Sequence, residues 1–267
     1  MYQMEDLLAV MSRLRDPETG CPWDLKQTFA SIAPYTLEET YELIDAIEQG
    51  DQAQIPGELG DVLFQVVFYS QLGKEQGAFD FAEVVHGITD KLLRRHPHVF
   101  PNGTLDEQRE GEAPNEQEIW AKWEQIKQEE RSEKALHSLM DDIPKALPGT
   151  SRASKMQKRA SQIGFDWQNV SDVVAALRAE LFELEAELHS NDKDALADEM
   201  GDVLFSAINL CRHLKLDAEA VLRAASNKFE RRFRFVEQRA KEQGLVLDNT
   251  HNPQLDRFWT EAKQSGL

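Results

Sequence analysis

The stretch GELGDVLFQVVFY, residues 57–69, surrounds a helix with apolar side chains when it is wound at the α-helical period. Only Glu58, Asp61 and Gln65 interrupt them, and these three share one narrow stripe. A helix that is apolar nearly all round is a buried helix. The stretch therefore predicts a core helix with two carboxylates, Glu58 and Asp61, one turn apart.

Helical periodicity recurs along the whole chain, and no convincing alternating strand pattern accompanies it. The periodicity predicts helices at 3–16, 36–49, 55–76, 80–95, 115–135, 144–162, 170–189, 193–214, 217–243 and 253–264. We therefore expect an all-α fold.

The composition favours a globular protein that gathers cations. The chain of 267 residues has 48 acidic and 30 basic residues, a net charge of −18, which argues against nucleic acid as a partner. Its two cysteines, Cys21 and Cys211, form no paired motif. We expect no signal peptide and no membrane span, and hence a cytoplasmic protein without a membrane partner.

The two halves of the sequence resemble each other. Three motifs return in the same order: ELGDVLF at 58–64 as EMGDVLF at 199–205, KLLRRH at 91–96 as KFERRF at 228–233, and WEQIK at 123–127 as WTEAK at 259–263. Ordered recurrence indicates a tandem repeat. A stretch with two prolines and a glycine, 141–154, follows the junction, so we expect domains at 1–137 and 138–267.

Each half carries two pairs of carboxylates on successive predicted helices. They are Glu39, Glu42, Glu58 and Asp61 in the first half, and Glu180, Glu183, Glu199 and Asp202 in the second. A short connection makes such helices an antiparallel hairpin, so the pairs face each other. Unpaired buried charge is costly, and a metal ion would relieve it. Oxygen ligation suits Mg²⁺, with Mn²⁺ as the alternative.

Other interpretations account for these acids less well. Thr36 and Glu39 match a capping box, but Leu177 occupies the equivalent of Thr36 in the second half. A di-iron bundle requires Glu-x-x-His on two helices, and only Glu83 with His86 supplies it. A solvated acidic face is the simplest alternative for a single copy of the motif.

Basic residues recur at helical spacing in each half. Lys91 and Arg95 are one turn apart, as are Lys228 and Arg232, and Arg231 lies beside the second pair. Cations next to a metal–carboxylate site are typical of polyphosphate binding, whereas ordinary surface pairing is the alternative.

A Trp-x-x-x-Lys motif recurs near the end of each half, as Trp123 with Lys127 and Trp259 with Lys263. Such a tryptophan can stack on a nucleobase or pack in the core, and both interpretations stay open.

Several motifs resemble a known family. EETYE at 38–42 with ELGD at 58–61 resembles the EExxE…ExxD pattern of the all-α nucleoside triphosphate pyrophosphohydrolases. More closely, the chain is similar to the two-domain bacterial MazG proteins in RDPETGCPWD at 15–24, RRHPHVF at 94–100, GFDW at 164–167 and KFERRF at 228–233.

The resemblance implies two MazG-like helical repeats, each built on an antiparallel helix hairpin that joins a bundle completed in a homodimer. It implies Mg²⁺-dependent hydrolysis of nucleoside triphosphates to monophosphate and pyrophosphate, with broad base tolerance, in the cytoplasm. The eight carboxylates would be metal ligands, and water would attack the α-phosphorus.

The resemblance also implies roles for the recurring basic and aromatic residues. Lys228, Arg231 and Arg232 would hold the triphosphate, while Trp259 and Lys263 close over the nucleotide. Lys91, Arg95, Trp123 and Lys127 are their first-half counterparts.

The two halves differ at the expected catalytic carboxylate. Glu38 would accept the water's proton in the first half, but Ala179 replaces it in the second, where Glu180 is the expected catalytic carboxylate. We favour the second half for catalysis because it keeps the basic KFERRF motif. The alternatives are a non-catalytic acidic helical scaffold and a pyrophosphatase restricted to dUTP or dCTP.

Overall fold

The computed structural model describes residues 1–106, 109, 111–112, 114–133, 136–190, 192–248 and 253–267. Within these ranges the chain forms ten α-helices and a short 3₁₀ turn at Asp24–Lys26, without any strand, which confirms the expected all-α fold. The helices are α1 (Met4–Leu14), α2 (Phe29–Gln49), α3 (Ile55–Glu75), α4 (Phe81–Arg95), α5 (Glu116–Glu133), α6 (Gly149–Ser161), α7 (Val170–Glu187), α8 (Lys193–His213), α9 (Ala218–Glu242) and α10 (Pro253–Gln264).

The chain folds as two compact units, Met1–Glu130 and Arg131–Leu267. The domain bounds expected from the sequence, 1–137 and 138–267, stay a prediction. The last two residues of the helix predicted at 115–135 lie outside the described residues. No helix in the described ranges is both long enough and apolar enough to cross a membrane.

In the first unit, α2 and α3 form a hairpin, and α1 and α4 pack against α3. The hairpin is antiparallel, because Thr36 near the start of α2 bonds Tyr69 near the end of α3 at 2.7 Å. A core of Met11, Ile32, Val67, Phe68 and Leu72 joins α1, α2 and α3.

In the second unit, α7 and α8 form the corresponding hairpin, and α6 packs against α8 and α9. Helices α9 and α10 pack together around Val236, Ala240 and Phe258. The predicted helix hairpin is therefore present in both units.

Helix α2 begins seven residues before its predicted start. Thr28 caps it: its Oγ1 accepts a hydrogen bond from the backbone N–H of Ser31 at 3.2 Å, and the Ser31 Oγ accepts one from the N–H of Thr28 at 2.8 Å. Thr36 thus lies inside the helix, where its hydroxyl contacts the main-chain oxygen of Ile32 and the Tyr69 hydroxyl. The capping interpretation of Thr36 with Glu39 is therefore wrong.

The expectation that residues 57–69 are buried all round is also wrong within this chain. Val67 and Phe68 are fully buried, but Leu59 is 51% exposed and Val66 is 37% exposed. The apolar core residues of α3 lie on the side that faces α1 and α2. Gln65, expected on the polar stripe, is buried near Thr36.

Candidate functional site

The α2–α3 hairpin brings three carboxylates together in the first unit. Oxygen atoms of Glu39, Glu58 and Asp61 lie within 4.8 Å of one another. Glu58 and Asp61 are one turn apart on α3, and the antiparallel packing of α2 places Glu39 opposite them. Glu39 and Glu58 are half-buried, whereas Asp61 is exposed, so the group opens to solvent on one side.

The second unit repeats this geometry. Oxygen atoms of Glu180, Glu199 and Asp202 also lie within 4.8 Å of one another, with the first two half-buried and the third exposed. We call these two groups the first and the second carboxylate cluster. Each cluster contains three of the four metal ligands that the sequence predicts for its half.

The remaining predicted carboxylates lie outside the two groups of three. Glu38, Glu42 and Glu183 are exposed. Their charge still acts on the clusters, because Glu42 and Glu38 raise the pKa of Glu39, and Glu183 raises the pKa of Glu180 and Glu199. These three carboxylates therefore lie close enough to the clusters to add to their negative charge.

Within the described residues, no basic side chain neutralises the negative charge of the two carboxylate clusters. Partial burial raises the pKa of Glu39, Glu180 and Glu199, and the neighbouring carboxylates raise it further. Among the described residues, no lysine, arginine or histidine forms an ion pair with a cluster carboxylate. The Oε2 atom of Glu199 is buried and has no hydrogen-bond partner within those residues. Three convergent oxygen donors and an orphaned carboxylate oxygen fit a hard divalent cation.

In the first unit, Arg95, which the sequence predicts to bind phosphate, is paired with an acidic side chain of the same unit. Glu130 of α5 receives hydrogen bonds from Arg95, with Nε at 3.1 Å from Oε1 and Nη2 on Oε2, and from Arg94 at 2.9 Å. These hydrogen bonds lower the pKa of Glu130 to about 2. Lys91, one turn before Arg95, is exposed.

The corresponding cations of the second unit are less engaged. Lys228 and Arg231 are exposed, and within the described residues neither forms an ion pair. Arg232 donates from Nε to the main-chain oxygen of Leu267 at 2.6 Å and lies 5.9 Å from the ring centroid of Trp259. The second unit therefore presents more free positive charge on the motif that the sequence singled out.

The two repeated tryptophans pack against their own units. Trp123 meets His96 edge to face at a centroid distance of 5.1 Å, and its Nε1 is buried without a partner among the described residues. Trp259 lies 5.2 Å from the ring of Phe229 and packs on the α9–α10 core. Both rings are only partly buried, so each tryptophan can pack against its own unit and still contact a nucleotide.

The lysines of the two Trp-x-x-x-Lys motifs also differ between the units: the first forms an ion pair, and the second is exposed. Lys127 pairs with Glu124 at 2.9 Å and lies 6.0 Å from the ring centroid of Trp123. Lys263 is exposed.

The di-iron interpretation loses its one supporting pair. Glu83 closes the capping box of α4: its Oε2 accepts from the N–H of Asp80 at 2.9 Å, and Asp80 accepts from the N–H of Glu83 at 3.0 Å. This carboxylate therefore caps the helix, and neither Glu83 nor His86 belongs to a carboxylate or histidine group that could hold a metal within the described residues.

The sequence did not predict a cavity of about 510 Å³ in the second unit. On α8 its lining begins one turn after Asp202, with Phe205, Ser206 and Asn209. Ser206 and Asn209 extend the polar stripe of that helix, and this pattern is the sequence feature that could have indicated the cavity. Nothing in the sequence of α6 distinguishes Gln157, which closes the cavity from the other side.

Comparison with known proteins places these features in a family. The MazG nucleotide pyrophosphohydrolase domain matches residues 27–100 and 168–236, and each match contains one carboxylate cluster. Lys91, Arg95, Lys228, Arg231 and Arg232 lie within the matched ranges, whereas both Trp-x-x-x-Lys motifs lie outside them.

Three relatives cover most of this chain. A nucleoside triphosphate pyrophosphohydrolase of Escherichia coli K12 is 50% identical over all of this chain and 99% of its own length. The nucleoside triphosphate pyrophosphohydrolase/pyrophosphatase MazG of Thermotoga maritima is 41% identical over 97% of this chain and 95% of its own length. An uncharacterized Bacillus subtilis protein is 38% identical over 99% of this chain and 52% of its own length.

The resemblance inferred from the sequence motifs is therefore confirmed. Two domain matches on this chain, and similarity to the two pyrophosphohydrolases over nearly its whole length, agree with the two hairpins and their two carboxylate clusters. The chain belongs to the MazG nucleotide pyrophosphohydrolase family, with one such domain in each unit.

Proposed function

We propose that this chain is a hydrolase that converts nucleoside triphosphates to nucleoside monophosphates and pyrophosphate. The names of its full-length relatives support this activity. The observation that carries it is the second carboxylate cluster, whose buried Glu199 oxygen has no protein partner among the described residues. A triphosphate is the kind of substrate that a divalent cation at such a cluster attracts.

The residues of the second unit have separate tasks in this reaction. Glu180, Glu183, Glu199 and Asp202 would hold Mg²⁺, or Mn²⁺ in its place. When bound, the cation would polarise the phosphate oxygens and acidify a bound water. Glu180 would orient that water toward the α-phosphorus and take its proton. Lys228, Arg231 and Arg232 would neutralise the leaving pyrophosphate, and Trp259 with Lys263 would cover the nucleotide.

The first unit would bind a cation through Glu39, Glu42, Glu58 and Asp61, with Glu38 as its proton acceptor. Lys91, Arg95, Trp123 and Lys127 are its candidate nucleotide contacts. The pairing of Arg95 with Glu130 favours the second unit as the faster site, because a phosphate would have to displace an internal carboxylate in the first.

We further infer a homodimer. Large apolar side chains are exposed along both hairpins, including Leu37, Ile47 and Leu59 on the first and Phe182 and Leu204 on the second. Large apolar side chains exposed on a helix hairpin favour a protein–protein interface there. A second copy of the chain is its expected partner. We also propose that the enzyme accepts nucleotides with different bases and that it works in the cytoplasm.

The test is product analysis with a matched pair of variants. The purified chain is incubated with ATP, dCTP and dUTP, with Mg²⁺ or with EDTA, and the products are separated. We expect monophosphate and pyrophosphate from all three, only when Mg²⁺ is present. Glu199→Gln should lower kcat by about a hundredfold or more, and Glu58→Gln, its repeat counterpart, should have a much smaller effect.

Other products would reject the proposal in different ways. Diphosphate with orthophosphate would mean another phosphoryl chemistry, and turnover of dUTP or dCTP alone would mean a base-restricted enzyme. No turnover by the folded chain would favour the acidic scaffold. A larger loss in Glu58→Gln would move catalysis to the first unit.

A further inference from the structure

The residues that follow α10 contact one of the cations that the sequence predicts to bind phosphate. Helix α10 ends at Gln264, and three residues later the main-chain oxygen of Leu267 accepts a hydrogen bond from the Nε of Arg232 at 2.6 Å. The Arg232 guanidinium also lies 5.9 Å from the ring centroid of Trp259. Arg232 of α9 is therefore held by two groups, one on α10 and one in the turn after it.

Gly266 makes this turn possible. Its φ of +84° lies in the left-handed region, which residues other than glycine rarely adopt. Just before it, the N–H of Ser265 still donates to the main-chain oxygen of Glu261 at 2.9 Å, as in an α-helix. The chain therefore leaves the helical path at Gly266, and the next residue, Leu267, places its main-chain oxygen on Arg232.

Helix α10 is fixed on α9 by contacts other than this hydrogen bond. Phe258 of α10 is buried and packs with Val236 of α9. Arg239 of α9 donates from Nε to a carboxylate oxygen of Glu261 on α10 at 3.2 Å. Because the packing of the two helices sets where the turn lies, Leu267 offers Arg232 an acceptor at a fixed position.

Within the described residues, the hydrogen bond with Leu267 uses only one of the three nitrogens of Arg232. The side chain makes no second hydrogen bond and no ion pair there, so Nη1 and Nη2 keep their donors. Arg95, its repeat counterpart, instead gives both Nε and Nη2 to Glu130. Neighbouring N–H groups of a guanidinium bind phosphate oxygens in pairs. Arg232 is thus oriented by the protein and can still receive a phosphate.

The repeat places these two contacts at the same position of each unit. Glu130 stands seven residues after Trp123, as Gly266 stands seven residues after Trp259. In the first unit this position is a carboxylate that pairs with the motif arginine. In the second unit it is a glycine, which lets the main-chain oxygen of the next residue reach the motif arginine instead. The end of the last helix therefore contacts this arginine in both units.

We propose that Gly266 and the main-chain oxygen of Leu267 position Arg232 for the pyrophosphate that leaves in the reaction, an inference that rests on the proposed function. A guanidinium that is held at Nε and lies against Trp259 has little freedom to rotate, so its terminal nitrogens are preorganised for phosphate oxygens. Gly266 and Leu267 are thus positioning residues that act through Arg232.

The experiment disrupts the turn and leaves Arg232 unchanged. In Gly266→Val the β-branched side chain disfavours the left-handed conformation, so Leu267 should no longer contact Arg232. Hydrolysis of ATP with Mg²⁺ is measured by steady-state kinetics on the full chain, and inhibition by added pyrophosphate gives a second readout. We expect kcat/KM to fall about tenfold and the inhibition constant of pyrophosphate to rise by a similar factor.

Gly77→Val is the matched control. Gly77 also follows a helix with a positive φ, +64°, and a Cβ added at either glycine finds open space. The two variants therefore introduce the same kind of backbone strain, but Gly77 belongs to the first unit. Gly77→Val should alter neither kinetic readout, and the melting temperatures of both variants show how much the strain destabilises the fold.

A double-mutant cycle separates positioning from a general structural role. Arg232→Met removes the guanidinium, so Gly266→Val should cause no further loss in that background if the turn acts through Arg232. A further tenfold loss there would overturn the inference, and so would an unchanged or raised activity of Gly266→Val alone. In these cases turnover by the wild type still supports the proposed function. If the wild type shows no turnover, the proposed function fails, and this inference fails with it.

Discussion

Glu130 accepts hydrogen bonds from the guanidinium of Arg95 on both of its carboxylate oxygens. The repeat aligns Arg95 with Arg232, which instead contacts a main-chain oxygen. One sequence motif thus serves an internal ion pair with Glu130 in the first unit, whereas Lys228 and Arg231 of the second motif are exposed and form no ion pair within the described residues. Duplicated residues therefore need not perform duplicated tasks.

Glu130→Gln should destabilise the first unit in a pH-dependent way. Glu130 has a folded-state pKa of about 2 against an ordinary 4.5, so its stabilising effect is complete above pH 4.5 and is lost as pH falls through about 2. At neutral pH the loss should be roughly 2–3 kcal/mol. Urea unfolding of both forms, near pH 7 and near pH 2, measures the difference.

The control is Glu129→Gln, the same change at the exposed neighbouring residue, which should alter stability little. Equal losses near pH 7 and near pH 2 would show that the ion pair is not the cause.

Glu199→Gln should stabilise the metal-free chain. Burial and the neighbouring carboxylates raise the pKa of Glu199, so its charged form is disfavoured in the folded state. The resulting penalty is present above the raised pKa and disappears as pH falls below the ordinary value of 4.5. In EDTA near pH 7 the variant should therefore melt at a higher temperature than the wild type.

With Mg²⁺ the order should reverse. A cation at about 100 times its Kd stabilises a folded site by about 2.7 kcal/mol, and the variant should lose most of that gain at the second cluster. Glu185→Gln, on the exposed side of α7, should show neither effect. A Glu199→Gln variant that melts lower than the wild type in EDTA would contradict the electrostatic account.

Phe68→Ala and Asn209→Ala should differ sharply in their effect on stability. Phe68 is fully buried, so its truncation should leave a void and cost about 3–5 kcal/mol. Asn209 borders an existing cavity, so its truncation should cost about 1 kcal/mol through lost hydrogen bonds with Arg212. Denaturant unfolding of the two variants tests this directly, and similar losses would mean that the two units are packed alike at this position.

Leu59→Lys combined with Leu204→Lys should weaken the proposed homodimer. Both leucines are exposed on the hairpins, and a lysine in an apolar interface must lose its hydration on association. Sedimentation equilibrium should give a dimer for the wild type and a smaller mass for the double variant. Leu105→Lys, at an exposed leucine outside the hairpins, should leave the dimer intact. A monomeric wild type would remove this part of the proposal.

Much of the architecture follows from local patterns in the sequence. Helical periodicity, the recurrence of ELGDVLF as EMGDVLF, and the short link between α2 and α3 suffice to predict two helix hairpins. Glu58 and Asp61 share a face through helix geometry alone, which local spacing determines. Helix α2 begins earlier than its periodicity predicts, because Thr28 and Ser31 cap additional helical residues before Thr36.

The tertiary structure decided what these residues contact. The packing of α2 on α3 brings Glu39 to Glu58 and Asp61, and the packing of α4 near α5 pairs Arg95 with Glu130. In the second unit a cavity is open at Asn209, whereas in the first unit the buried Phe68 fills the corresponding position. Each of these contacts joins side chains from different helices, so it depends on the packing of elements that are distant in sequence. The sequence by itself determined the helices, the repeat and the carboxylate spacing, because these depend on neighbours along the chain. Burial, charge pairing and cavity shape depend on neighbours in space, and only the folded units supply them.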